Sequence, residues 1–89
     1  MWHWDEDKRL TNLAKHGVDF GVMDQFDWLR ADIWADVRFD YGEERKSAIG
    51  LIGDRLFAVA YTERGPIKRI ISLRKANERE KRLWSTSVR

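Results

Sequence analysis

The chain has 89 residues, a length that suits one modest hydrophobic core, and we predict a single domain over residues 1–89. A composition of 43% apolar and 36% charged residues is typical of a folded protein with a highly charged surface. The absence of cysteine excludes disulfides, thiolate metal sites and cysteine nucleophiles. The sequence has no apolar stretch near the roughly 18 residues of a membrane span, and its first residues do not resemble a signal peptide. We therefore expect a cytoplasmic protein with no membrane contact.

The net charge of +2 conceals two oppositely charged regions. Residues 1–63 hold 8 Lys/Arg and 13 Asp/Glu, which gives −5, whereas residues 64–89 hold 9 and 2, which gives +7. A basic segment of this kind suits a polyanion such as the phosphate backbone of RNA. A solvated C-terminal helix with a basic outer face explains the same charges, and charge alone leaves both interpretations open.

The first third of the chain predicts a short strand followed by a helical hairpin. Residues 2–5 alternate apolar and polar side chains, which favours a strand. Asp5 is a good N-cap, and Gly17 can end the helix in the left-handed conformation. Asp19 can cap a second short helix that ends around residues 27–29. Two helices joined this tightly form a helical hairpin.

From residue 31 the pattern changes to strands. Apolar residues alternate with polar ones over residues 33–39, and a turn is predicted at residues 40–43. Further strands are predicted at residues 45–52, 56–63 and 68–73, separated by turns at residues 51–54 and 64–66. Asn77 and Glu80 form a capping-box pattern that opens a last helix, which we expect to run to about Trp84. The predicted fold is α+β: an antiparallel sheet of four to five strands, covered on one face by an N-terminal helical hairpin, with a C-terminal helix.

The candidate site consists of basic residues at the ends of the last strands and on the last helix. They are Arg64, Lys68, Arg69, Arg74, Lys75 and Arg79. RNA cleavage through its own 2′-hydroxyl needs only a base, an acid and cations that stabilise the charge developing on the phosphate. Arginine suits the last role because its planar fork binds phosphate oxygens bidentately. The two histidines match no common metal-ligand spacing, so we predict no metal and no cofactor.

Four of the candidate residues also have a purely structural interpretation. His16 can cap the C-terminus of a helix, and Glu80 can be only the capping-box carboxylate. Arg74 can be an ion-pair partner, and Arg64 can be an ordinary turn residue beside Glu63. The sequence leaves catalysis and structure open for each of them.

Four segments, in order along the chain, carry a resemblance to a known family. They are residues 12–20 (NLAKHGVDF), 40–45 (DYGEER), 50–55 (GLIGDR) and 69–80 (RIISLRKANERE). Together they resemble the BrnT toxins of bacterial type II toxin–antitoxin systems, over roughly residues 3–84. The resemblance implies a fold similar to the RelE toxins and a metal-independent ribonuclease that halts translation. It also implies a hetero-oligomer with a cognate, BrnA-like antitoxin that carries a DNA-binding segment.

The resemblance, combined with the basic residues above, predicts a set of site residues. The expected catalytic residues are Arg64, Arg74, Glu80 and His16, and the expected RNA-binding residues are Lys15, Arg45, Lys68, Arg69, Lys75 and Arg79. Two alternatives to an endoribonuclease remain. One is a binding module without catalysis that grips nucleic acid or the antitoxin, and the other is an inactive toxin retained as a co-repressor.

Overall fold

The computed structural model describes residues 2–36 and 45–86. In chain order it contains the strand β1 (Trp2–Trp4), the helix α1 (Glu6–His16), two 3₁₀ segments (Phe20–Gln25 and Trp28–Arg30), and then the strands β2 (Asp32–Asp36), β3 (Arg45–Ile52), β4 (Arg55–Arg64) and β5 (Ile67–Lys75), followed by the helix α2 (Glu78–Thr86). The predicted turn at residues 40–43 lies outside the described residues.

The helix α1 begins and ends where the sequence predicted. The carboxylate of Asp5 accepts a hydrogen bond of 2.8 Å from the amide of Asp7. Gly17 adopts a φ of 70°, and its amide donates 2.8 Å to the carbonyl of Leu13. This left-handed residue stops the helix, because it redirects the chain after His16.

The predicted second helix is wrong, because residues 20–30 form two 3₁₀ segments instead of an α-helix. The reason is the spacing of the buried side chains in this segment. Phe20, Met23 and Phe26 are all buried and stand three residues apart, which is the period of a 3₁₀ helix. Asp19 caps the first segment through a 3.0 Å bond from the amide of Gly21. The N-terminal layer is therefore one α-helix followed by tight turns, and not a helical hairpin.

The five strands form one sheet in the order β1-β5-β4-β3-β2. The meander from β2 to β5 is antiparallel as predicted, but β1 pairs with β5 in parallel, so the sheet is mixed. The antiparallel prediction fails at β1 because no hairpin turn fixes its direction. The chain leaves β1 directly into α1, and its partner strand follows more than sixty residues later.

The two faces of the sheet differ in character. Residues paired across neighbouring strands share a face, so Phe57, Val59, Tyr61 and Leu73 lie together in the core. We call this side the core face; the 3₁₀ segments cover it, whereas α1 lies along the edge of β5. The opposite side, which carries Arg45, Ser47, Arg69, Ser72 and Arg74, we call the basic face.

The helix α2 begins with the predicted capping box. The Asn77 side chain accepts 2.8 Å from the amide of Glu80, and the Glu80 carboxylate accepts 2.9 Å from the amide of Asn77. The helix lies on the basic face, where the indole of Trp84 donates 3.2 Å to the carbonyl of Arg30. Over residues 2–36 and 45–86, neither helix is long and apolar enough to cross a membrane.

Candidate functional site

One row of the basic face presents two arginines. Arg45 pairs with Thr62, and Thr62 pairs with Arg69, so all three residues share a face of the sheet. The two arginine positions are two strand spacings apart, or about 10 Å at ~4.8 Å per spacing. Arg69 is exposed and Arg45 is half-buried. This row therefore places two arginines on the basic face.

A β-bulge brings Arg74 onto the same face as Arg69. The two residues stand five positions apart, and strict alternation along β5 would put them on opposite faces. The register shifts between Ala60, which pairs with Ser72, and Tyr61, which pairs with Ile70. Ile71 is the extra residue of this bulge. It shifts the alternation of side chains along β5 by one position, so Arg69 and Arg74 face the same side.

Between these arginine rows lies a shallow depression of ≈ 80 Å³. The small residues Ala58 and Ala60 form much of its floor, and the hydroxyls of Ser47 and Ser72 stand on the strands to either side. At this volume it suits a phosphate group better than a base. The described residues that line it are Trp34, Ser47, Ala48, Ile49, Ala58, Val59, Ala60, Ser72, Arg74 and Glu80.

The Arg74 guanidinium is held at the edge of the depression by Glu80. Nη1 donates 2.7 Å to Oε1 and Nη2 donates 2.8 Å to Oε2, which is the bidentate geometry of a strong ion pair. The hydrogen bonds from Arg74 are the main cause that lowers the pKa of Glu80, assisted by the amide of Asn77. The same contact raises the pKa of Arg74. Glu80 is therefore an ionised carboxylate at neutral pH and cannot serve as a proton donor in this arrangement.

Two predicted residues, Lys15 and His16, line a separate groove of ≈ 370 Å³ between α1 and β5. Ser72 lines both this groove and the depression, so the two concavities adjoin along β5. His16 is half-buried at the last position of α1, and Lys15 is exposed. The predicted residues on α1 thus line a concavity that adjoins the depression.

Two other predicted residues lie on the core face, away from Arg69 and Arg74. Lys68 pairs in register with Glu63, and its ammonium stands 3.6 Å from the Glu63 carboxylate and 5.1 Å from the centre of the Trp28 ring. Lys75 is exposed and pairs in register with Phe57. The structure therefore does not bring these two lysines together with the arginines of the basic face.

Two further predicted residues, Arg64 and Arg79, lie at the end of β4 and in the first turn of α2. Arg64 ends β4 opposite Ile67, but its side chain lies outside the described part of the structure. Arg79 is exposed in the first turn of α2, and its charge contributes to lowering the pKa of Glu80. Arg79 therefore adds positive potential beside the Arg74–Glu80 pair.

The structure adds site residues that were not predicted from the sequence. Ser72, Ala60, Ser47 and Trp34 form one row across four strands. The alternation of polar and apolar residues along each strand indicates which residues share a face of that strand. It does not show which residues of different strands stand side by side, because that depends on the register between the strands. In the described ranges, no group of three or more His, Cys, Asp or Glu residues is arranged to hold a metal ion.

A family model of known proteins matches the chain. The model of a family described as "Ribonuclease toxin, BrnT, of type II toxin-antitoxin system" matches residues 4–80. The matched range extends from the end of β1 to Glu80 and so includes the depression, its arginines and the groove beside α1. No curated protein matches the chain.

Proposed function

The chain belongs to the BrnT family of ribonuclease toxins of type II toxin–antitoxin systems. We propose that it cleaves RNA on its basic face without a metal ion and so inhibits translation. The observation that carries the proposal is that Arg45, Arg69 and Arg74 share one face of the sheet, on which Arg74 lines a depression with two serine hydroxyls. Cations and hydroxyl donors fixed around one phosphate are what a metal-free phosphoryl transfer requires.

In this proposal Arg74 stabilises the reacting phosphate. Its guanidinium has five N–H donors, and the described bonds to Glu80 and to the Lys75 carbonyl leave donors that can face a phosphate. Arg69 and Arg45 neutralise the flanking phosphates of the strand. The serine hydroxyls of the depression donate to the non-bridging oxygens, which gain charge in the transition state.

The proton transfers are assigned to Glu80 and His16. The 2′-oxygen attacks its neighbouring phosphorus, and its proton passes to the ionised carboxylate of Glu80. The bond from phosphorus to the 5′-oxygen breaks, and the imidazolium form of His16 gives that oxygen a proton and becomes neutral imidazole. The products are a 2′,3′-cyclic phosphate and a 5′-hydroxyl. The support for these roles is position: Glu80 lines the depression, and His16 lines the adjoining groove.

We also propose that a BrnA-like antitoxin with a DNA-binding segment forms a hetero-oligomer with this chain and silences it. A toxin that acts on RNA inside the cell requires an inhibitor in the same cell, and the type II system of the family supplies a protein for that purpose. Co-expression of the antitoxin is expected to restore growth and to leave the cellular RNA intact.

The test of the proposed function is cleavage of RNA in EDTA. The purified protein is expected to cut RNA with the chelator present, and end-group analysis should find 2′,3′-cyclic phosphates. Arg74→Ala should abolish most of the cutting. Arg55→Ala is the matched control, because Arg55 is an exposed arginine in register with Ile52 and away from the depression. Cleavage that requires added magnesium would contradict the mechanism.

A second candidate function is a binding module without catalysis, acting with the antitoxin as a co-repressor. The observation that favours it is the bidentate pairing of Arg74 with Glu80, which is typical of a structural ion pair. This alternative predicts RNA or antitoxin binding that weakens steeply with salt. It also predicts intact RNA after long incubation and no growth arrest when the chain is expressed alone.

A further inference from the structure

The groove between α1 and β5 is a second concavity, and His16 is the only one of its described lining residues that the proposed cleavage uses. We propose that it is a binding subsite for the phosphates of single-stranded RNA that extends beyond the cleaved bond. The inference rests on the proposed function for the identity of the strand, but it concerns different residues. These are Lys8, Thr11 and Lys15, none of which takes part in the reaction itself.

The groove exists because the edge of β5 is only partly covered. Strand β1 pairs with β5 at Lys68, Arg69 and Ile70, and β5 continues beyond this point to Lys75. Along the remaining edge, α1 takes the place of a neighbouring strand. The space between the helix and the edge is the groove, with Ile71 and Ser72 on its β5 side.

A buried asparagine fixes the helix against this edge. The Asn12 amide nitrogen donates 2.7 Å to the Leu73 carbonyl and 3.0 Å to the Val18 carbonyl, and its oxygen accepts 3.1 Å from the Leu73 amide. The side chain thus reproduces the two hydrogen bonds that a paired strand would make with Leu73. Because this anchor is buried and fully bonded, the groove is preformed, and a ligand does not have to order its walls.

The charges along the helix suit a repeating anion. Lys8 and Lys15 are seven residues apart, so they lie on one side of the helix about 10 Å from each other at ~1.5 Å per residue. Both are exposed, and Thr11 adds a hydroxyl between them. Asp7 is the only carboxylate among the described residues that line the groove. Two ammonium groups at this separation, with a hydroxyl between them, suit the repeated phosphates of a strand better than a single small anion.

The position of the groove selects RNA as the occupant. It adjoins the Arg74 depression at Ser72, which lines both concavities. Its volume of ≈ 370 Å³ lies in the range of roughly 300–1,000 Å³ found for ligand sites and accommodates a nucleotide, whereas the depression of ≈ 80 Å³ does not. A strand whose phosphate reacts at Arg74 can therefore continue along β5 into the groove.

The experiment measures the salt dependence of RNA binding by the Lys8→Ala/Lys15→Ala variant. The probe is a single-stranded RNA of about ten nucleotides with 2′-O-methyl groups, which prevent cleavage. Since each phosphate contact on a single strand contributes about 0.7 to the slope of log K against log salt, the slope should fall by about 1.4 and the affinity by about tenfold. Arg55→Ala, which removes one exposed cation elsewhere, should keep the wild-type slope. Both substituted lysines are exposed, so the variant is expected to fold, and its melting temperature checks this.

A dinucleotide substrate separates this inference from the proposed function. It contains one phosphodiester and is too short to follow the groove beyond the cleaved bond, so the double variant should lose much less activity on it than on long RNA, for which the KM should rise about tenfold. If wild type cleaves no RNA, the proposed function fails, and the salt slope still decides the role of the groove. An unchanged slope in the double variant would overturn the inference. A variant that lost affinity for the antitoxin and kept its affinity for RNA would overturn it as well.

Discussion

The two faces of the sheet are built from the same strands and use basic residues in opposite ways. On the core face, Lys46 donates 2.6 Å to Glu63, and Lys68 stands over the rings of Trp28 and Trp2. These two cations therefore stabilise the fold through contacts within the protein. On the basic face, Arg69 is exposed and Arg74 borders a depression lined by hydroxyls. A basic residue on a strand therefore acquires its role from the face it occupies.

The contrast is sharpest between residues that are adjacent in sequence. Lys68 and Arg69 lie on opposite faces, and so do Arg74 and Lys75. Within each pair, both residues carry one positive charge and differ mainly in the face of the sheet on which they lie. Substitutions within a pair thus test the assignment of the faces with charge held constant.

The largest effect is expected from comparing Arg74→Ala with Lys75→Ala. Removing a cation that stabilises the transition state should lower the cleavage rate by about 10²–10³-fold, as for a single oxyanion donor. Lys75→Ala should change the rate by less than about twofold, because its side chain lies on the core face. Single-turnover cleavage of RNA in EDTA gives both rates. Equal losses in the two variants would remove the distinction between the faces.

The next effect concerns the anchor between α1 and β5. Asn12→Ala leaves the Leu73 amide and carbonyl without their described partner, and we expect a loss of about 2–3 kcal/mol in the free energy of unfolding. Asn77→Ala, which removes an exposed cap, should cost about 1 kcal/mol. Urea denaturation measures both. A loss for Asn12→Ala no larger than that for Asn77→Ala would show that the anchor is dispensable.

A smaller effect is expected from acid. The folded-state pKa of Glu80 is lowered, chiefly by Arg74, so this pair stabilises the fold above the ordinary carboxyl pKa of 4.5 and stops doing so as the pH falls through the lowered value. Because Arg74 is partly exposed, the contribution is about 1 kcal/mol. Glu80→Gln should lose it at pH 7 and show a shallower decline below pH 4.5. Identical acid profiles for the two proteins would contradict the assignment.

The smallest effect is expected on the core face. Lys68→Ala removes a contact with Glu63 and the cation–π contacts, which should cost about 0.5–1 kcal/mol of stability. The rate of RNA cleavage should be unchanged. Thermal unfolding and cleavage in EDTA, measured on one preparation, check both parts. A rate loss as large as that of Arg74→Ala would mean that RNA binds the core face instead.

Local signals explain what the sequence could predict of the fold. Asp5 and Gly17 delimit α1, Asn77 and Glu80 open α2, and alternation with short turns defines the meander. The direction of β1 is not local, since its partner strand is far along the chain and no turn joins them. The 3₁₀ segments were missed because a spacing of three residues was assigned to an α-helix.

The candidate site was predicted only in part, for a reason that lies in β5. Arg74 and Glu80 were both identified from the sequence, and they form the ion pair at the depression. The bulge at Ile71 decides that Arg69, and not Lys68, lies on the same face as Arg74. No pattern in the sequence marks the position of this bulge. Ser47 and Ser72 could not be recognised before the register between the strands was known.

The most direct test of the central claim is to observe which face RNA contacts, and the tryptophans provide the reporters. Trp34 lines the depression on the basic face, whereas Trp2 and Trp28 stack on each other at 5.4 Å against the core. Indole N–H signals can be followed by NMR while uncleavable 2′-O-methyl RNA is added in EDTA. Binding of RNA to the basic face should shift the Trp34 signal and leave those of Trp2 and Trp28 in place. Shifts of Trp2 and Trp28 with an unmoved Trp34 would contradict it.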